Sequence, residues 1–226
     1  MSDAVWLVTV GLACGVAGTA VPESISRLPE PMGSVGRRPG LALRTGLACA
    51  VAGALLTHVL VPDWAGVLVV LPLVPPAVLL AVVDRRTHLL PSRVIWPMLG
   101  LAVGSVVLAG LLSRDGDAVL RAGIAGAGTF AFFHALWWIR PSGMGYGDVR
   151  LSAVLGVALG FLGWGELVVG IYAGFVGFAL AATARAVVRR DRASLRVASP
   201  YGPYLLGGAL VGVLVGGSLW SSLVSG

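Results

Sequence analysis

No lysine occurs anywhere in the chain; its 16 basic residues are all arginines, spread over short loops. Nucleic-acid binding needs a concentrated basic face with helical or aromatic context, and scattered loop arginines do not make one. Charge of either sign is scarce, at 12% of residues, and no polar block separates the apolar runs, so a soluble domain is not expected. Cysteine is limited to Cys14 and Cys49. Two thiols inside apolar runs exclude a disulfide framework and a four-cysteine zinc site, and are expected to act as small buried hydrophobes. The three histidines, His58, His88 and His134, stand far apart in sequence. They are expected in packing or interfacial positions, with no metal site and no cofactor. Residues Met1 to Ala20 lack a basic leading region and carry Asp3 instead. The reading is an uncleaved first helix.

What the chain has in abundance is apolar length: 57% of residues are hydrophobic and the mean hydropathy is +0.92. Apolar runs of about 20 residues, enough to cross a hydrocarbon core, recur from end to end. The expected fold is all-α, a polytopic membrane helix bundle of about eight transmembrane helices forming a single integral membrane domain over residues 1–226. The spans fall near Ala4–Val21, Leu41–Val61, Ala65–Val83, Val94–Leu112, Ala118–Ile139, Val149–Leu162, Leu167–Val187 and Pro203–Leu223. Between the first two lies a polar loop, Pro22 to Gly40. Pro75 and Pro76 should kink the third span by removing backbone donors. Trp137 and Trp138 read as interfacial anchors at the end of the fifth.

Arginine placement orients the bundle. With the N-terminus outside, Arg27, Arg37, Arg38, Arg44, Arg85, Arg86, Arg93, Arg140, Arg150, Arg185, Arg189, Arg190, Arg192 and Arg196 fall on inner loops and helix ends, and Arg114 and Arg121 outside. That asymmetry is what the positive-inside rule predicts for eight spans.

Two acids then stand out. Asp84 ends the third span, and Asp148 sits in the glycine-rich turn Gly143-Met144-Gly145-Tyr146-Gly147-Asp148-Val149-Arg150 at the mouth of the sixth. An acid at a membrane helix end is costly enough to be a functional candidate. In this topology both face the cytoplasm. Paired carboxylates suit peptide hydrolysis, one taking a proton from water while its neighbour donates one to the scissile carbonyl. Gly145 and Gly147 lack side chains and allow positive φ, so a peptide backbone could approach Asp148 closely. The same acids would also suit a proton- or cation-coupled transporter, which predicts internal repeats and a site near mid-membrane. Glycines at four-residue spacing, namely Gly156 and Gly160, Gly170 and Gly174, and Gly208, Gly212 and Gly216, are assigned to close helix packing.

Three segments in order resemble the type IV prepilin leader peptidases, polytopic aspartic peptidases of the Gly-x-Gly-Asp class. They are Asp84 with its Leu89-Leu90-Pro91 tail, the turn around Asp148, and Pro200-Tyr201-Gly202-Pro203-Tyr204-Leu205, which is similar to the family's Pro-Phe-Gly-Pro segment. The resemblance implies that Asp84 and Asp148 are catalytic. It also implies that Gly145, Gly147, Pro200, Gly202 and Pro203 shape the substrate-binding rim. The implied reaction is leader removal from type IV prepilin or pseudopilin precursors at the cytoplasmic face of the inner membrane. Many family members also methylate the new N-terminus and carry a four-cysteine zinc region in the first loop. This chain has no such cysteines, so a peptidase-only short form is expected. Ser92 and Arg86 stand where the family often has acidic residues or Asn, and Arg150 replaces the usual Lys.

Overall fold

The computed structural model describes residues 3–61, 63–141, 144–189 and 200–224. Eleven helices are described: α1 (Asp3–Thr19), α2 (Val21–Ser26), α3 (Gly33–Gly36), α4 (Leu41–Leu60), α5 (Trp64–Val70), α6 (Val74–Thr87), α7 (Ser92–Ser113), α8 (Gly116–Ile139), α9 (Tyr146–Leu162), α10 (Trp164–Arg189) and α11 (Gly202–Val224). Seven stretches of the described residues are long and apolar enough to cross a membrane. They are Val5–Ser26, Leu41–Leu60, Trp64–Thr87, Ser92–Ser113, Gly116–Ile139, Trp164–Val188 and Gly202–Val224. The remaining long helix, α9, has 17 residues and runs antiparallel to α8. It takes the place of the sixth expected span. The chain is thus an all-helical polytopic bundle.

Small residues set the pairing. Three antiparallel hairpins, α1 with α4, α8 with α9 and α10 with α11, close on glycines whose missing side chains let backbones touch. A Cβ at Gly208 would lie 2.3 Å from the Gly174 nitrogen, and one at Gly212 2.3 Å from the Glu166 carbonyl. Gly156 meets the Ala125 carbonyl in the same way, at 2.8 Å. The four-residue glycine spacing therefore acts in packing. In the first hairpin Cys14 packs on Gly53 and Cys49 on Gly18, and both thiols are free and buried.

The most enclosed helix is α9, which touches α5, α7, α8, α10 and α11 and is buried along nearly its whole length. Its last carbonyls would have no partner in an apolar surround. Arg121 of α8 supplies one, donating from Nε to the Gly160 oxygen at 2.7 Å and from a terminal nitrogen to the Phe161 oxygen at 2.6 Å.

Several expectations need correction. The segment from Pro22 to Gly40 is not an open polar loop: α2 and α3 fold against each other and bury Ile25 and Val35, so the polar side chains face outward while the apolar ones join the core. The break in the third span falls just before Pro75-Pro76, as a 3₁₀ turn at Leu71–Leu73. Prolines at these positions lack the donors that the carbonyls of the preceding turn would need. Asp84 does not end its span, because α6 continues through Thr87, and Asp148 lies inside the first turn of α9. Trp137 packs its ring on Tyr146 at 4.9 Å and only Trp138, 75% exposed, points outward as an anchor would. The arginine-rich loop lies largely outside the described residues, with Arg190, Arg192 and Arg196; so do Pro62 and Gly143 of the expected turns.

Candidate functional site

At one end of the bundle the last turn of α6 meets the first turns of α7, α9 and α11. α6 stops because His88 takes a left-handed conformation (φ 54°), its N–H donating to the Asp84 carbonyl at 2.8 Å. The chain then turns through Leu89-Leu90-Pro91, and Pro91, in an extended conformation, starts α7. Asp84 is left one turn inside the helix and is only 4% exposed.

Asp148 arrives from the other direction. Gly145, extended at φ −71° and ψ 143°, starts α9, and its carbonyl accepts from the Asp148 N–H at 3.0 Å. Asp148 is 6% exposed, and its Oδ1 has no hydrogen-bond partner. The two carboxylates lie within electrostatic reach of each other. Two buried acids from remote parts of the chain therefore converge at one bundle end.

The link between them runs through α11 and Leu90. The Gly202 N–H donates to Asp84 Oδ2 at 3.0 Å. Leu90 packs onto Gly147, where a Cβ would stand 2.5 Å from its own, and reaches Gly202 as well. Gly147 is helical and Gly145 has negative φ, so positive φ is not why glycine stands at either position. Gly147 is glycine because Leu90 fills the space a side chain would take. Of the remaining rim residues, Gly202 is buried against Asp84, Pro200 is partly exposed, and Pro203 lines an apolar groove below the site.

Tyr201 is a residue the sequence reading quoted but did not single out. Its ring is buried among Phe133, Phe175 and Phe178, and its hydroxyl has no partner while lying within electrostatic reach of Asp148. Burial, and then the neighbouring Asp148, push the phenol above its ordinary pKa, so it keeps its proton and remains a donor. The available signal was its position between Pro200 and Gly202, where the related segment has phenylalanine. Leu90 was equally unmarked; nothing in an apolar run distinguishes a keystone from any other leucine.

Arg150 ties α9 to α7. It lies 4.8 Å from the Tyr146 ring centroid and donates to the Ser92 hydroxyl, so two of the departures from the family pattern bond to each other. The histidines stay apart: His58 and His88 are exposed, and His134 is half-buried between Phe130 and Trp137. Among the described residues no three His, Cys, Asp or Glu side chains gather as metal ligands would.

The profile of the type IV leader peptidase family matches residues 71–184. That segment contains Asp84 and Asp148 and excludes Tyr201 and Gly202. The chain is 34% identical over 160 residues to a prepilin leader peptidase/N-methyltransferase of Pseudomonas putida, covering 69% of this chain and 52% of that protein. It is 32% identical over 178 residues to the protein of the same name from Aeromonas hydrophila, covering 76% and 58%. It is 35% identical over 156 residues to the leader peptidase HopD of Escherichia coli, covering 66% of this chain and 90% of that one. The chain thus spans little more than half the length of the first two relatives. No solved structure matches it.

Proposed function

Because the chain belongs to the type IV leader peptidase family, we propose that it is a membrane-embedded aspartic endopeptidase that removes the leader of type IV prepilin-like precursors. The observation that carries the reading is the convergence of Asp84 and Asp148, both buried and acting on each other electrostatically. One carboxyl must hold a proton to give to the scissile carbonyl while the other accepts one from water. Two like charges in a buried site repel, which favours a single proton shared across the pair. The Gly202 N–H fixes Asp84 through Oδ2, and the free Oδ1 of Asp148 is available for water. The arginine distribution supports a cytoplasmic position for this end of the bundle, where a leader would enter. Gly145, Pro200 and Pro203 then form the rim that the substrate backbone crosses. Neither the family nor the relatives support the transporter reading.

Leader cleavage on co-expression with a prepilin, seen as a gel shift and located by N-terminal sequencing, tests the assignment. Processing is expected to persist in detergent extracts treated with chelator. Loss of cleavage that returns on adding metal would overturn the two-carboxylate mechanism, and absence of cleavage for major and minor pilin precursors alike would overturn the peptidase assignment.

The Tyr201 hydroxyl adds a second, finer expectation. A protonated donor within electrostatic reach of Asp148 suits holding the attacking water or the developing oxyanion. Tyr201→Phe is expected to lower kcat by about ten- to a hundredfold, the range for a hydrogen bond to a charged group. Thermal stability should stay level or rise, since a buried hydroxyl without a partner is removed. A fall in melting temperature with unchanged kcat would assign the hydroxyl to packing instead.

A further inference from the structure

Outside the carboxylate site, a cavity of about 750 Å³ opens between α4 and α6 at the bundle end that holds Asp84. Arg38, Arg44, Arg85 and Arg86 line it, and no acidic residue does. The neighbouring Arg27 and Arg37 are paired with Glu23 and Glu30, whereas these four make no ion pair among the described residues. Arg85 and Arg86 suit the C-terminal turn of α6, where the helix dipole favours cations. Arg44 does not: it sits in the first turn of α4, whose N-terminus starts at Gly40 and has no side-chain cap. Orientation by positive charge requires arginines on this side of the membrane, but it does not require four unpaired ones in a single cavity.

A second, apolar groove of about 240 Å³ lies along the membrane-embedded part of α6. Val78 lines both, with Val82 on the cavity side and Val74, Ala77 and Ala81 on the groove side. A compact anionic head above an apolar tail is the shape of a phospholipid. We propose that the arginine-lined cavity binds the phosphodiester headgroup of an anionic phospholipid, with an acyl chain lying in the groove along α6. The phosphate neutralises the four guanidinium groups and supplies the acceptor that the uncapped start of α4 lacks. The arginine-lined cavity contains neither carboxylate and does not depend on the peptidase reading, although the groove shares Pro203 with the proposed substrate rim.

The full chain, purified in neutral detergent, is mixed with equal amounts of phosphatidylglycerol and phosphatidylcholine carrying the same acyl chains, and retained lipid is counted by native mass spectrometry. Wild type is expected to retain phosphatidylglycerol preferentially. The double variant Arg38→Gln/Arg44→Gln should retain roughly twenty-five-fold less, at roughly fivefold per basic group near an anionic surface. Arg114→Gln, at the opposite end of α7, should retain as much as wild type. If circular dichroism shows that the double variant has lost helix content, Arg44→Gln alone carries the test at roughly fivefold. Equal retention of the two lipids by wild type, or unchanged retention by the cavity variant, overturns the proposal. So does displacement of the lipid by an equal concentration of inorganic phosphate, which would assign the cavity to a soluble anion.

Discussion

Asp148→Asn and Asp84→Asn, made singly, are each expected to reduce leader cleavage by about a thousandfold or more, the scale of a lost general acid or base. Asparagine matches aspartate in shape and keeps an oxygen acceptor, so the packing around either position has no reason to change. What it removes is a group that can give up and take back a proton. Asp148 is the more informative of the two, because its Oδ1 has no protein partner to lose. Asp148→Asn should therefore insert, fold and melt like wild type, or slightly better, while processing stops. Asp84→Asn can still accept from the Gly202 N–H, so its structural bond survives as well. Measured on a gel with quantified membrane insertion, complete precursor processing by either variant would reject the paired-carboxylate mechanism.

Gly202→Ala is expected to lower kcat by about a hundredfold while leaving the bundle assembled, because small displacements of a reacting group have effects of that order. A Cβ at this position would stand 2.9 Å from Asp84 Oδ2 and 3.4 Å from the Leu90 side chain. The Leu90 contact is tolerable, but the carboxylate must shift. The backbone N–H that Asp84 accepts from is still present, so the variant tests distance rather than the loss of a donor. A structural account predicts something different: a lower melting temperature in proportion to the lost activity. Unchanged kcat would mean that the position of Asp84 is looser than its hydrogen bond to Gly202 implies.

Much of this was legible from one sequence because the relevant signals are local. A membrane helix must satisfy its own backbone, so apolar length alone marks it, and the expected spans fall close to the described helices. Glycines four apart lie on one helix face, so their use in close packing follows from helical geometry. The segment after α1 was read wrongly for the converse reason. Its polar residues outnumber the apolar ones, and only the tertiary fold brings Ile25 and Val35 into contact with the core.

The site divides along the same line. Which residues are candidates to carry chemistry was legible in the sequence: Asp84 and Asp148 are acids where acids are costly, and the flanking Gly and Pro residues mark turns. Gly147 was noted for the wrong reason, since its lack of a side chain makes room for Leu90 and not for unusual backbone angles. By itself the sequence determined membrane class, helix positions and the candidate acids, all of which depend on properties of single residues or on helical spacing. Only the tertiary structure decided that Asp84 and Asp148 come to the same bundle end, that Gly202 bonds one of them, that Tyr201 carries an unpartnered hydroxyl within electrostatic reach of the other, and that four arginines share a cavity. Those facts depend on which helix ends come together, and no residue encodes a partner a hundred positions away.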